Sequence, residues 1–158
     1  MVLSFIPMDV SADQTSDTFD ITVSGEYIWI DITNASWAIG TVSMSSVSYT
    51  NETGETFIAD MDNTTVNTDL KLQITADAAT WSSATAGNGA GVDTYRLNAS
   101  IDIWSASDVQ IVTASATTIS TSITAGNNET FDLRFDAPTS TSTGGQQSLT
   151  VTTSLVKS

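Results

Sequence analysis

The sequence predicts an all-β protein: a single antiparallel β-sandwich, jelly-roll or immunoglobulin-like, with an extended N-terminal strand. Three observations carry this. Apolar residues recur at every second position along most of the chain, without helical periodicity. Clusters of Asn, Asp, Gly, Ser and Thr cut that alternation into about ten short runs at sandwich spacing. Charge is scarce, at 14% of residues against 40% hydrophobic. Ser and Thr replace it, and they suit half-exposed pleated surfaces and turns.

The elements follow in order. MVLSFIPM opens the chain, and Val2, Leu3, Phe5, Ile6, Met8 and Val10 place apolar groups on both parities as far as Ile6. Pro7 interrupts pairing, and SADQTSD reads as a polar tether. Residues 1–17 are set apart as an N-terminal strand and tether, and 18–158 as the sandwich domain; the other readings of the octet are an ordinary first strand of the sandwich and the remnant of a secretory signal, of which it lacks the basic start. TFDITVS carries Phe19, Ile21 and Val23 on one face; YIWIDIT carries Ile28, Ile30 and Ile32, with Tyr27, Trp29 and Asp31 opposite. SWAIGTVSMSSVSY is rich in strand formers, with Gly40 marking a bulge or a switch of sheet. ETFIADM follows the turn TNETGE. LKLQIT sets Leu70, Leu72 and Ile74 against Lys71 and Gln73. YRLNASIDI sets Tyr95, Leu97, Ala99, Ile101 and Ile103 against Arg96, Asn98, Ser100 and Asp102. VQIVTAS and TTISTSI alternate more weakly. TFDLRF sets Phe131, Leu133 and Phe135 against Asp132 and Arg134, and QSLTVTTSLV closes with Leu149, Val151, Thr153 and Leu155.

Charge excludes several function classes. Eighteen acids stand against four bases, Lys71, Arg96, Arg134 and Lys157, for a net charge of −14. Such a chain repels a phosphate backbone, so no nucleic-acid partner is expected, and it lacks the basic patch that anionic membranes attract. No apolar run reaches the ~20 residues of a membrane span. There is no cysteine and no histidine, which removes disulfide staples, the Ser-His-Asp triad, thiol nucleophiles and the common zinc and haem ligands. AGNGAGVD lacks the lysine and following helix of a phosphate loop and reads as a hairpin loop. No catalytic residue and no cofactor are expected.

Three sets of residues remain as candidates. Asp60 and Asp62, beside Asn63, are a carboxylate pair; calcium needs six to eight oxygens, more than this stretch supplies. A glycosidase would need two such carboxylates held across a cleft. Trp29, Trp37, Trp81 and Trp104 read as packing residues, or as a sugar-stacking platform if several share an exposed face; Trp29, opposite the isoleucine face, is the best placed. Asn34, Asn51, Asn63, Asn98 and Asn128 each head an Asn-X-Ser/Thr sequon. Four fall in expected turns and Asn98 on the outward parity of a strand, so all five are expected to be able to carry glycans.

A strand apolar on both parities requires burial on both faces or a deep groove. On a tether, it can insert into a neighbouring subunit and supply a missing strand. Such a head-to-tail contact does not close, and its product is a filament. SWAIGTV, DMDNTTVNTDLKLQIT followed by Trp81, GVDTYRL and FDLRFDAPTSTSTGGQQSLTVTTSLV are similar to stretches of secreted prokaryotic β-sandwich surface proteins. With the acidic, Ser/Thr-rich, cysteine-free composition and the apolar first strand, the chain resembles filament subunits of the TasA and archaeal bundling-pilus type. The resemblance implies export to the cell surface and a homopolymer of identical subunits joined by strand donation. The expected interface residues are Val2, Leu3, Phe5, Ile6, Met8 and Val10. The alternatives are a carbohydrate-binding or adhesin module, and a viral jelly-roll capsid domain.

Overall fold

The computed structural model describes residues 20–53, 56–85, 87–102, 104 and 109–158. Among the described residues the regular structure is almost wholly β: β1 (Asp31–Thr33), β2 (Val47–Tyr49), β3 (Phe57–Asp60), β4 (Thr68–Ala76), β5 (Ser82–Ser83), β6 (Thr94–Ser100), β7 (Gln110–Val112), β8 (Thr117–Ile123), β9 (Glu129–Asp136) and β10 (Thr150–Lys157), with one helical turn, α1 (Thr50–Thr53). The strands form two sheets, antiparallel except where β5 meets β6. The large sheet runs β1-β3-β9-β6-β5, with β2 also on β9 and β7 also on β6. The small sheet is β10-β4-β8. This is the sandwich that the alternation predicts.

Alternation explains the core. Along β9, Phe131, Leu133 and Phe135 are buried, and along β6, Tyr95, Leu97 and Ala99. Both sets face Leu70, Leu72 and Ile74 of β4. Register builds aromatic contacts on that face: Phe57 pairs with Phe131 and their rings stack at 5.4 Å. Phe135 stacks on Tyr95 at 5.5 Å and on Trp81 at 6.4 Å. The outer parity of β4 and β10 is polar, as in Asp69, Lys71, Gln73, Thr152 and Ser154, so the small sheet shows one dry and one wet face.

The two flanks of the sandwich differ. On the β7–β8 flank the chain passes directly between the sheets. Ile74 N–H donates to Thr113 O at 2.8 Å and the Thr117 hydroxyl to Ile111 O at 3.1 Å, which closes that side. On the other flank, β10 pairs with β4 along its whole length, and its second edge has no partner among the described residues.

Three expected strands take another form in whole or in part. From Trp37 to Val42 the chain forms no ladder. Gly40 at φ 78° and Ser45 at φ 62° turn the backbone into the left-handed region, which breaks a continuous strand there. Residues 27–30 likewise lie outside β1. Their main chain is held by hydroxyls: Tyr27 N–H donates to Thr65 Oγ1 at 2.8 Å and Trp29 N–H to Thr64 Oγ1 at 3.1 Å, while Thr65 N–H returns to Tyr27 O at 2.9 Å. Before that clasp, the described part of TFDITVS, residues 20–24, forms no strand, and Ile21 and Val23, expected on an apolar face, are 75% and 85% exposed.

Candidate functional site

The open flank holds the site. A groove of about 1040 Å³ runs between the sheets. Phe131, Leu133 and Phe135 of β9, with Leu72 of β4, lie along it; Leu149, Val151 and Thr153 at the start of β10 form one side. The unladdered stretch with Trp37, Ile39 and Val42 forms another. Trp37, Ile39, Val42, Leu149 and Val151 are apolar and half-buried, packed against the core without being enclosed by it. On a chain of net charge −14, every residue lining the groove is uncharged.

Hydrogen bonds set the lip of the groove. The Asp93 carboxylate accepts from Ser142 N–H at 2.8 Å and from the Ser142 hydroxyl at 2.7 Å, which holds its pKa below the ordinary aspartate value. Trp81 Nε1 donates to Thr141 Oγ1 at 3.0 Å, and Thr80 N–H to Gln147 Oε1 at 3.2 Å. Beneath the lip, buried Tyr95 donates its phenol to Asp77 Oδ1 at 2.7 Å; burial first, then that carboxylate, push the phenol pKa well above its ordinary value. Opposite, Trp37 Nε1–H is buried with no acceptor among the described residues. An extended segment lying in the groove would meet main-chain groups on both sides, the free edge of β10 and the unladdered Trp37–Val42.

The residues singled out from the sequence fall in different places. Val2, Leu3, Phe5, Ile6, Met8 and Val10 lie outside the described residues. Two of the four tryptophans, Trp37 and Trp81, line the groove, Trp81 as part of the core as well; Trp29 is pinned at Thr64, and Trp104 is edge-on to Tyr49 at 5.3 Å. Asp60 Oδ1 accepts from Asp62 N–H at 3.1 Å, an Asx turn that shapes its own loop. Among the described residues no three ligating side chains gather around a metal position.

Four sequon asparagines, Asn34, Asn51, Asn63 and Asn128, are exposed. Asn128 turns its Oδ1 to Met61 N–H at 2.8 Å. Asn98 corrects the expectation of an outward-facing residue, since it is 0% exposed. The reason is its position. It lies on β6 between Arg134 of β9 and Ile111 of β7, where Arg96 Nε donates to its Oδ1 at 2.9 Å. Beside it, Arg134 and Asp136 form an ion pair at 2.9 Å. The outer parity of the large sheet is thus a packed polar layer there, and an Asn98 amide in it has no room for a glycan. The groove was missed from sequence because it lies between segments far apart in the chain, whose alternation is read one segment at a time. Its one sequence signal is the apolar stretch around Trp37, whose alternation Gly40 interrupts.

No helix among the described residues is long and apolar enough to cross a membrane. No protein-family model matches this chain, and neither the curated proteins nor the solved structures include a match.

Proposed function

We propose that this protein is the structural subunit of an extracellular, cell-surface filament, polymerising head to tail as each copy donates a strand from its N-terminal segment to the next. The observation that carries this reading is the uncharged apolar groove beside the edge of β10 that has no partner among the described residues. A sandwich with one flank closed and one flank open to an added strand is the acceptor half of strand donation. The donor half is the segment before β1, with Val2, Leu3, Phe5, Ile6, Met8 and Val10 as the expected contacts. Outward hydroxyls, net negative charge and glycans at the exposed sequons keep such a polymer soluble and separate from its neighbours. The test is negative-stain electron microscopy of native material with mass spectrometry of what is seen. Uniform filaments yielding this chain support the reading; discrete monomers or small closed oligomers overturn it.

A further inference from the structure

Independently of the filament reading, we propose that Asn88 is a self-modifying site, which converts in the folded chain to a mixture of isoaspartate and aspartate. Eight asparagines occur in the chain, and Asn88 alone is followed by glycine. The side-chain amide of asparagine is thermolabile, and the group that attacks it is the main-chain nitrogen of the next residue. A side chain on that residue crowds the approach and narrows the backbone angles that permit it; Gly89 does neither.

Water is the one co-reactant. Gly89 N attacks Asn88 Cγ, a step made unimolecular because both atoms belong to one loop. The Cγ–Nδ2 bond breaks, and Nδ2 leaves as ammonia with the proton that Gly89 N gives up. A succinimide ring remains, and water opens it at either carbonyl. Opening at the main-chain carbonyl of Asn88 leaves Gly89 N joined to Cγ, which is isoaspartate. Opening at Cγ restores the ordinary main chain and leaves aspartate. Either product replaces a neutral amide by a carboxylate.

The loop between β5 and β6 meets the requirements of this step. Asn88 and Gly89 are both exposed, so water reaches them. Gly89 N–H has no hydrogen-bond partner among the described residues, which leaves the nucleophile untied. A Cβ placed on Gly89 would meet nothing within 4 Å, so the loop has room to bring this nitrogen over Cγ. Asn88 is held by Thr85, its N–H donating to Thr85 O at 3.1 Å and its Nδ2 to Thr85 Oγ1 at 2.7 Å. Thr85 is itself exposed, so water competes for both bonds. After conversion the Thr85 hydroxyl can turn and donate to the new carboxylate. The bonds that anchor the loop lie outside the reacting pair: Ala84 N–H donates to Tyr95 O at 2.8 Å and Gly91 N–H to Thr94 O at 2.9 Å. Isoaspartate lengthens the main chain by one carbon between these anchors and leaves both in place. Asn98 is the internal contrast, fully buried on paired β6 and followed by Ala99. A chain that stands long in water therefore records its age at Asn88 and keeps its fold.

The test incubates the folded, full-length protein in mildly alkaline buffer and samples it over days. Peptide mass mapping reads the exchange of NH2 for OH, and electron-transfer fragmentation separates isoaspartate from aspartate. Asn88→Gln and Gly89→Ala chains run in parallel. The added Cβ of Gly89→Ala enters open space, and melting curves verify that both variants fold. The expected result is conversion first on the Asn88 peptide, with both products present, Asn98 still amidated and the parent melting temperature retained. Both variants should lose most of it. An Asn88 that stays amidated in the folded chain but converts in urea overturns the proposal, because the fold then protects it. Aspartate without isoaspartate, or equal conversion in Gly89→Ala, overturns the attack by Gly89 N.

Discussion

Replacing Ile21 and Val23 together by serine should uncouple polymerisation from folding. Both side chains are already 75% and 85% exposed in the single chain, so their loss should change body stability by no more than about 0.5 kcal/mol. Where the proposed joint takes in this part of the segment before β1, they become buried. Fully burying an aliphatic side chain is worth about 1.5–3 kcal/mol. Scaled by the exposure each has left to lose, the pair contributes about 2.5–5 kcal/mol to association. The critical concentration for polymerisation should therefore rise by roughly two to four orders of magnitude. Pelleting filaments from a dilution series measures that concentration. Thermal melting of the dissociated subunit should stay within about 2 °C of the parent. An unchanged critical concentration would refute the burial of these residues in the joint. A substantial drop in melting temperature would show instead that they pack within their own body.

Three further outcomes follow from the packing. Thr50→Val keeps shape but removes the buried hydroxyl that accepts from Leu133 N–H at 2.9 Å and donates to Asp132 Oδ1 at 2.9 Å; urea unfolding should show a loss of about 1–3 kcal/mol. Tyr95 stays protonated in the folded state above the pH at which it ionises unfolded, so stability should hold below about pH 10 and fall above it. A Tyr95→Phe variant should lose that alkaline slope, as read from urea midpoints at about pH 9 and about pH 11. Glycopeptide mass spectrometry of native protein should find Asn98 unoccupied, and any glycans on Asn34, Asn51, Asn63 or Asn128; a glycan on Asn98 of folded protein contradicts its burial.

Legibility in the sequence followed the strength of alternation. LKLQIT and TFDLRF became β4 and β9 with the expected residues inside, because every second side chain there is large and apolar. SWAIGTVSMSSV has the composition of a strand but not its backbone: Gly40 and Ser45 take left-handed conformations that end pairing. Asn98 shows the limit of parity. Alternation identifies the apolar face of β6 but assumes that the other face meets water, and there Arg96, Arg134 and Asp136 build a layer of their own. Two of the four bases in an acidic chain lie on adjacent strands of one face, a trace of that layer visible in the sequence. The groove had no comparable trace, because it lies between segments far apart in the chain.

The clasp between Tyr27–Trp29 and Thr64–Thr65 sets how tension would travel along a filament joined in this way. Pull on the donated segment enters the body at that clasp, whose five hydrogen bonds far outweigh the exposed Glu26–Lys157 pair. From Thr65 the load passes within three residues into β4, the middle strand of the small sheet, and leaves through β10 to the next donated strand. β4 and β10 are antiparallel and in register from Thr68 opposite Lys157 to Ile74 opposite Val151. Force along their length shears the whole ladder at once and does not peel it rung by rung. The strand nearest the joint would then yield only when all its hydrogen bonds fail together.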